Sequence, residues 1–217
     1  MYFGNRQLSQ RQQNSDSDFR QKEQNKKMKA WVEDYIRQFK AVVDAVPTES
    51  MAQWIEIFRK AHKENRQIFV FGNGGSASNC SHFVCDLGKG SSISMGSPFR
   101  CLSLNDNVAW MTAIANDFSY EDVFVRQLEN YAKPGDLIFT LSVSGNSPNC
   151  VKAMEWGKKQ GLTLFAVTGA KRGRMAELAD HLIVIDSTHY GRVEDAQMMV
   201  AHILCYAFME KAEELKS

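Results

Sequence analysis

The residues between Phe69 and Asp86 combine two features that could support chemistry on an anionic ligand. Their sequence, FVFGNGGSASNCSHFVCD, starts as a short apolar strand, passes through a loop of Gly, Ser and Asn, and continues into a helix. Backbone amides in such a loop and at a helix N-terminus bind anions. On the helix, His82 and Asp86 are four residues apart and therefore share one face. The segment predicts an anion-binding loop beside a His and carboxylate pair suited to proton transfer or metal binding.

A second strand and loop of the same kind lies between Ile138 and Cys150. Its sequence is IFTLSVSGNSPNC, in which three serines surround a Gly and an Asn. Neither loop contains lysine or matches the nucleotide-binding patterns GxxxxGK(S/T) and GxGxxG, which disfavours nucleotide binding. The structural alternative is a pair of tight strand-to-helix turns with capping serines. Because there are two matched loops, we favour binding of a phosphate group.

The elements that must position these loops form an alternating β and α pattern. Five short apolar runs predict strands: IFVF (68–71), CLSL (101–104), LIFTL (137–141), LFAVT (164–168) and LIVID (182–186). Helical stretches between unbroken apolar strands predict an α/β fold with a parallel sheet covered on both faces. Ligands of such sheets bind beyond the carboxyl ends of the strands, where both loops fall.

Helices are expected before and after this alternating region. Apolar residues recur at three- and four-residue spacing from Lys29, which predicts an amphipathic helix. Pro47 and Thr48 are expected to end it and to cap a second helix. The last helix is predicted from Val193 to Lys216, and its long apolar part suggests a contact with another subunit.

Length and composition predict one domain that binds a small ligand. The 217 residues suit a single α/β domain over residues 29–217, whereas residues 1–28 are polar and predict a flexible extension. A net charge of +1 gives no general attraction to nucleic acid or to an anionic membrane. No apolar run approaches the ~20 residues that span a bilayer. Five scattered cysteines, an odd number, predict reduced thiols and a cytoplasmic protein.

Four separate motifs resemble the sugar isomerase (SIS) domain of phosphoheptose isomerases. In chain order they are GNGGSASNCSHF, TAIANDFSYEDVF, SVSGNSPN and GRVEDAQMMVAHILCYAFME. The resemblance covers the chain from its first helices to its C-terminus. It implies a three-layer αβα sandwich, the SIS fold, in a homotetramer with active sites at subunit contacts. It also implies a phosphorylated sugar as the substrate, with sedoheptulose 7-phosphate converted to an aldose phosphate through an enediol.

The resemblance also assigns roles to residues of this chain. Asp86 would be the base and His202 its acid partner, and a zinc ion would polarise the carbonyl. The family's metal positions fall on His82, Asp86, Glu194 and His202. Contacts to the sugar and its phosphate would come from the two loops, the ANDF motif and the helices beyond them: Asn73, Gly74, Gly75, Ser76, Asp86, Asn116, Asp117, Ser142, Val143, Ser144, Ser147 and Glu194.

Three of these positions depart from the family pattern. The family commonly has Glu at Asp86, Gln at Glu194 and Thr at Val143. The second carboxylate would compensate for the shorter one, because two nitrogens and two anionic oxygens suit zinc. Glu194 and His202 are eight residues apart, or about 12 Å along an unbroken helix. Either the last helix begins after Glu194, or the two ligands of one ion come from different chains.

Two other functions remain as alternatives to the isomerase. The chain also resembles, less closely, a non-catalytic SIS-domain protein that binds sugar phosphates or associates with the bacterial replication initiator. Such proteins lack the full catalytic set, whereas this chain has both His82 and His202. A glucosamine-phosphate-type isomerase ranks last, because those proteins carry a partner domain for which this chain has no room.

Overall fold

The computed structural model describes the backbone of residues 4–216 and the side chains of residues 21–216. The chain divides into two compact units, Met1–Asp44 and Ala45–Ser217. The described part of the first unit is a single helix, α1 (Gly4–Asp44). The helix predicted from Lys29 therefore begins much earlier, because the Gln, Arg, Lys and Glu residues before it are good helix formers. Residues 21–28 are helical with exposed side chains. The predicted flexibility of residues 1–28 falls partly outside the described residues and stays a prediction.

The second unit contains one five-stranded sheet in which all strands are parallel, in the order β2-β1-β3-β4-β5. The strands are β1 (Gln67–Gly72), β2 (Arg100–Ser103), β3 (Leu137–Ser142), β4 (Thr163–Gly169) and β5 (His181–Ile185). Each lies within one residue of its predicted position at either end. The α/β fold with a parallel sheet is therefore confirmed.

Helices precede, connect and follow these strands. They are α2 (Thr48–Lys63), α3 (Gly75–Asp86), α4 (Ser92–Met95), α5 (Val108–Asp117), α6 (Val125–Tyr131), α7 (Pro148–Lys159), α8 (Gly173–Leu178), α9 (Tyr190–Glu210) and α10 (Ala212–Lys216). A π-helical segment, Leu87–Ser91, joins α3 to α4, and a 3₁₀ turn covers Tyr120–Asp122. Segments of π-helix within a longer helix are rare and often lie at functional sites.

Two predictions about helix ends are wrong in detail. Thr48 is the first residue of α2, the capping position is Pro47, and no side chain caps the helix. The last helix begins at Tyr190 and not at Val193, because the His189 side chain accepts a hydrogen bond from the Arg192 amide and caps it. It ends at Glu210, and the short helix α10 follows.

The sheet is covered by helices on both faces, as the three-layer prediction requires. On one face, Phe69, Phe71 and Ile138 pack with Ile114 of α5 and Leu128 of α6. On the other face, aromatic rings from three elements meet edge to face. Phe58 of α2 lies 6.1 Å from Phe139 of β3 and 6.3 Å from Phe83 of α3, measured between ring centroids. Alternate residues of each strand thus serve opposite layers.

The strand order places the two loops side by side. The chain leaves β1 toward β2 on one side, while β3 pairs with β1 on the other. Such a reversal leaves a crevice at the carboxyl ends of the two central strands, which is where α/β proteins bind ligands. The glycine loop follows β1 and the serine loop follows β3, so both border this crevice.

Candidate active site

The glycine loop, Gly72–Ser76, brings the N-terminus of α3 close to the sheet. Gly72 ends β1 so close to β3 that an added Cβ would lie 2.7 Å from the Leu141 carbonyl oxygen. Gly74 has a φ of +56°, which side chains disfavour, and it directly precedes the first turn of α3. The loop therefore presents backbone amides and a helix N-terminus to the crevice.

The serine loop, Ser142–Ser147, presents three hydroxyls to the same crevice. The Ser142 hydroxyl lies 3.5 Å from the hydroxyls of Ser144 and Ser147 and accepts a hydrogen bond from the Gly145 amide at 3.2 Å. Helix α7 starts directly after Ser147 with proline at its first position, where no amide hydrogen is needed. Hydroxyls grouped at a helix N-terminus match the acceptor oxygens of a phosphate group.

The two loops and the start of α9 enclose a cavity of about 310 Å³, here called the loop cavity. Its lining combines glycine-loop, serine-loop and α9 residues: Asn73, Gly74, Ser76, Ser142, Val143, Ser144, Ser147, Tyr190 and Glu194. Among the described residues, no lysine or arginine lines it. An anion in this cavity would thus be held by hydroxyls, amides and helix dipoles.

Glu194 is the acidic side chain of the loop cavity. Its carboxylate lies against Gly75, where an added Cβ would overlap it, so glycine at position 75 makes room for Glu194. The Glu194 carbonyl oxygen also accepts a hydrogen bond of 2.8 Å from Asn79 of α3. Ser76 and Gln197, both buried, add a hydrogen bond of 2.8 Å between the same helices. These bonds fix α9 against α3.

Three other predicted residues meet further along the same two helices. Asp86 Oδ2 lies 3.3 Å from His82 Nε2 and 3.6 Å from His202 Nε2, and the two nitrogens are 3.4 Å apart. Both imidazoles are 40–50 % exposed, and Asp86 is 24 % exposed. Asp86 ends α3, directly before the π-helical segment. We call this group the His-Asp-His cluster.

The His-Asp-His cluster fits a metal ion. Four ligands arranged tetrahedrally at about 2.0–2.1 Å from zinc lie roughly 3.3–3.4 Å from one another. The three measured separations between ligand atoms, from 3.3 to 3.6 Å, are close to that value. Two imidazoles and one carboxylate leave a fourth position open, which is the arrangement of catalytic zinc sites.

Cys205, a buried cysteine near Asp86, does not compete as a ligand of the cluster. All five cysteines are free, and Cys80, Cys150 and Cys205 are buried. Burial raises the pKa of the Cys205 thiol well above its ordinary value, and the nearby Asp86 charge raises it further. Because the thiolate is the form that binds metals, the protonated Cys205 thiol is a poor ligand for a metal ion in the cluster.

The structure brings most of the predicted site residues together, but in two groups. Eight line the loop cavity, Gly75 borders it, and His82, Asp86 and His202 form the cluster. Glu194 is not one of the residues within ligand distance of the cluster. Since α9 is continuous from Tyr190 to Glu210, the idea that the helix begins after Glu194 is wrong.

Asn116 and Asp117 lie apart from both groups. They are exposed at the end of α5, where the Asn116 amide donates to the Asp117 carboxylate at 2.9 Å. Neither is among the residues that line the loop cavity or form the cluster. Their predicted contact with the substrate stays a prediction.

Sequence reasoning overlooked three residues at this site. Tyr190 lines the loop cavity, and Asn149 and Tyr120 hydrogen-bond to Asn73. Asn149 and Tyr120 lie inside two of the motifs that carry the family resemblance, SVSGNSPN and TAIANDFSYEDVF. Their signal was therefore present, but their partner is distant in sequence and becomes visible only when the loops are folded.

The chain is similar to one protein family and to known members of it. The model of the SIS domain family matches residues 34–169. A probable phosphoheptose isomerase of Thermoplasma volcanium is 42 % identical over 139 residues, which are 64 % of this chain and 70 % of the relative. The phosphoheptose isomerase of Mycobacterium tuberculosis is 37 % identical over 143 residues, which are 66 % of this chain and 72 % of the relative.

A solved structure shares the fold. The phosphoheptose isomerase of Neisseria gonorrhoeae superposes with a TM-score of 0.77 at 23 % identity, over 86 % of this chain and 98 % of that one. Within the described residues, none of the helices is both long and apolar enough to cross a membrane.

Proposed function

Because the chain belongs to the SIS-domain family and, within it, to the phosphoheptose isomerases, we propose that it converts sedoheptulose 7-phosphate into the aldoheptose 7-phosphate. The observation that carries this proposal is the pairing of a hydroxyl-lined cavity of about 310 Å³ with a separate His-Asp-His cluster. The first suits the anionic end of a sugar phosphate, and the second suits proton transfer at a carbonyl. The non-catalytic alternative loses support, because such a protein has no use for three converging proton-transfer groups.

The chemistry that the cluster would perform is a proton transfer next to a carbonyl. The carbon-bound proton leaves C1 of the ketose, the carbonyl oxygen at C2 gains a proton, and an enediol forms. A proton then returns to C2, while the hydroxyl on C1 loses its proton and becomes the new carbonyl. We assign the carbon-bound proton to Asp86 and the oxygen-bound proton to His202, whose Nε2 lies 3.6 Å from Asp86 Oδ2.

We propose zinc as the ion of the cluster, held by His82, Asp86 and His202. When bound, zinc supplies a Lewis acid that polarises the sugar carbonyl and stabilises the charge developing on its oxygen. Glu194 is too far along α9 to join from the same chain, at about 12 Å for two ligands eight residues apart. A second copy of the chain would have to supply it.

This arrangement supports a homotetramer with active sites at subunit contacts. Ile203 and Tyr206, beside His202 on α9, are 38 % and 47 % exposed and offer apolar surface for such a contact. A solution mass of four chains, measured by light scattering, would agree with it. The free cysteines support a cytoplasmic location, because thiols persist in a reducing compartment.

The proposed reaction is tested by incubating the zinc-loaded protein with sedoheptulose 7-phosphate and following the aldose by NMR. Turnover of this substrate, and little with glucosamine 6-phosphate or ribulose 5-phosphate, is the expected result. An inert protein that nevertheless binds sedoheptulose 7-phosphate in a stoichiometric ratio would favour the non-catalytic alternative. Failure to bind the sugar phosphate would reject both functions.

Removing one hydroxyl of the serine loop should weaken phosphate binding. In Ser144→Ala, a hydrogen bond to a charged group is lost, which costs about 1–3 kcal/mol and raises the Kd for sedoheptulose 7-phosphate roughly 5- to 150-fold. Isothermal titration calorimetry measures this change. Ser78→Ala, an exposed serine on α3, is the matched control and should bind as the unmutated protein does. Equal affinity of both variants would remove the serine loop from the site.

Neutralising Glu194 should have the opposite effect on anion binding. Glu194→Gln keeps the shape of the side chain but removes a negative charge from the loop cavity. We expect inorganic phosphate to bind about tenfold more tightly, because two charges several ångströms apart repel by more than 1 kcal/mol at a partly buried site. Glu210→Gln, at the other end of α9, controls for the change in net charge. Weaker phosphate binding in Glu194→Gln would contradict this role.

A further inference from the structure

Asn73 of the glycine loop is bound to two residues from other parts of the chain. Its amide group and that of Asn149 donate to each other's oxygens, both at 2.9 Å. The Tyr120 hydroxyl donates to the Asn73 oxygen at 3.0 Å. The remaining contact of the Asn73 amide nitrogen is Cys150 Sγ at 3.8 Å. We call these three polar side chains the asparagine bridge: Asn73, Asn149 and Tyr120.

These contacts use the full hydrogen-bonding capacity of the Asn73 side chain. An asparagine has two lone pairs on its oxygen and two hydrogens on its nitrogen. Asn149 and Tyr120 occupy the lone pairs, and Asn149 and Cys150 accept the hydrogens. Burial raises the pKa of the Cys150 thiol to about 12, so its sulfur is a neutral and weak acceptor. The Asn73 side chain thus has no free group for a substrate, although Asn73 is one of the residues that line the loop cavity.

The asparagine bridge connects the segments that present the two anion-binding helix ends. Asn73 directly precedes Gly74 and the start of α3, and Asn149 lies in the first turn of α7. Asn149 is 1 % exposed and also accepts a hydrogen bond from the Cys150 amide, so its orientation is fixed. Tyr120 is 57 % exposed and joins from the 3₁₀ turn after α5. Side-chain amides therefore link the two helix N-termini, in addition to the backbone pairing of β1 and β3.

We infer that Asn149 and Tyr120 are positioning residues, which act through Asn73 to hold the glycine loop and the serine loop at the spacing that one phosphate group requires. This inference rests on the proposed function, since it assumes that both loops contact the same phosphate. It changes the role of Asn73 from a residue that touches the substrate with its side chain to one that orders the loop. A loose bridge lets the two helix ends separate, and anion affinity falls because preorganised donors are lost.

A double-mutant cycle separates this role from direct contact. The probe is inorganic phosphate, titrated by calorimetry so that the binding stoichiometry gives the active fraction of each variant. We expect Asn73→Ala and Asn149→Ala each to raise the Kd about tenfold. The double variant should also raise the Kd only about tenfold relative to the unmutated protein, because both substitutions remove the same link. Asn130→Ala, an exposed asparagine bonded to its own helix, should leave the Kd unchanged. An additive, roughly hundredfold loss in the double variant would overturn the inference.

Tyr120→Phe keeps the cycle decisive if Asn149→Ala does not fold. This exposed substitution removes one hydroxyl, and we expect a two- to fivefold higher Kd in the unmutated background and no change in the Asn73→Ala background. An equal loss in both backgrounds would overturn the role of Tyr120. If the unmutated protein binds phosphate but does not turn over sedoheptulose 7-phosphate, the proposed function is rejected. The double-mutant cycle then still tests the positioning role of the asparagine bridge, because it measures phosphate binding alone. No phosphate binding in the unmutated protein would overturn both.

Discussion

Asp86→Asn is expected to lower kcat for sedoheptulose 7-phosphate at least 100-fold and to weaken zinc binding at the proposed metal site. The substitution keeps the size of the side chain but removes the charge and the basic oxygen. A positioned general base contributes about 10²- to 10⁴-fold to a proton transfer, so its loss alone accounts for a decrease of that size. Asp86 Oδ2 also lies close to both imidazole nitrogens, at 3.3 and 3.6 Å. Removing the only anionic ligand of the cluster weakens zinc binding in addition.

Two measurements divide the effect of Asp86→Asn between base and ligand. Elemental analysis gives bound zinc, and kcat is measured again with zinc in excess. Turnover that stays 100-fold low at full zinc occupancy assigns the loss to proton transfer, whereas recovery assigns it to metal binding. The matched control is Asp180→Asn. Asp180 is exposed and directly precedes β5, so it lies at the end of the sheet opposite the two loops. Normal turnover in Asp86→Asn would reject both roles.

The strands and the loops could be predicted from the sequence because each is encoded locally. Runs such as IFVF are apolar throughout, which a parallel strand covered on both faces requires. Gly74 and Ser147 mark strand-to-helix turns by residue type alone, and both fall where expected. The two loops share one crevice because β1 and β3 are neighbours in the sheet and each loop follows the carboxyl end of its strand.

The parts that sequence reasoning missed depend on contacts between distant segments. Asn73 and Asn149 are 76 residues apart, and only the packing of α7 beside the glycine loop pairs their amides. The family resemblance groups Glu194 with His202 as ligands of one ion, but two turns of a continuous helix carry them to different groups. The start of α1 was missed because polar residues with high helix propensity read as an extension when no apolar face accompanies them.

Gly145→Ala is expected to lower the free energy of unfolding by roughly 2–4 kcal/mol and to raise the Kd for phosphate more than tenfold. Gly145 has a φ of +64°, and an added Cβ would overlap the carbonyl oxygen of Arg172. Because that obstacle is backbone, it cannot move by a change of rotamer. The Gly145 carbonyl also accepts a hydrogen bond of 2.9 Å from the Met175 amide, which ties the serine loop to the start of α8. Alanine would therefore displace the loop that carries the three serines.

Gly161→Ala isolates the contribution of the overlap. Gly161 has a φ of +76°, but an added Cβ would meet nothing closer than Pro134 at 3.9 Å. Gly161→Ala should lower the free energy of unfolding by only about 1–2 kcal/mol, the cost of alanine in a left-handed conformation. It should leave phosphate binding unchanged, because Gly161 precedes β4 and so lies at the end of the sheet opposite the two loops. Chemical denaturation and calorimetry measure the two effects separately. Equal losses of stability in both variants would mean that the Arg172 carbonyl moves to make room for the methyl group. Unchanged phosphate affinity in Gly145→Ala would show that phosphate binding does not depend on the present conformation of the serine loop.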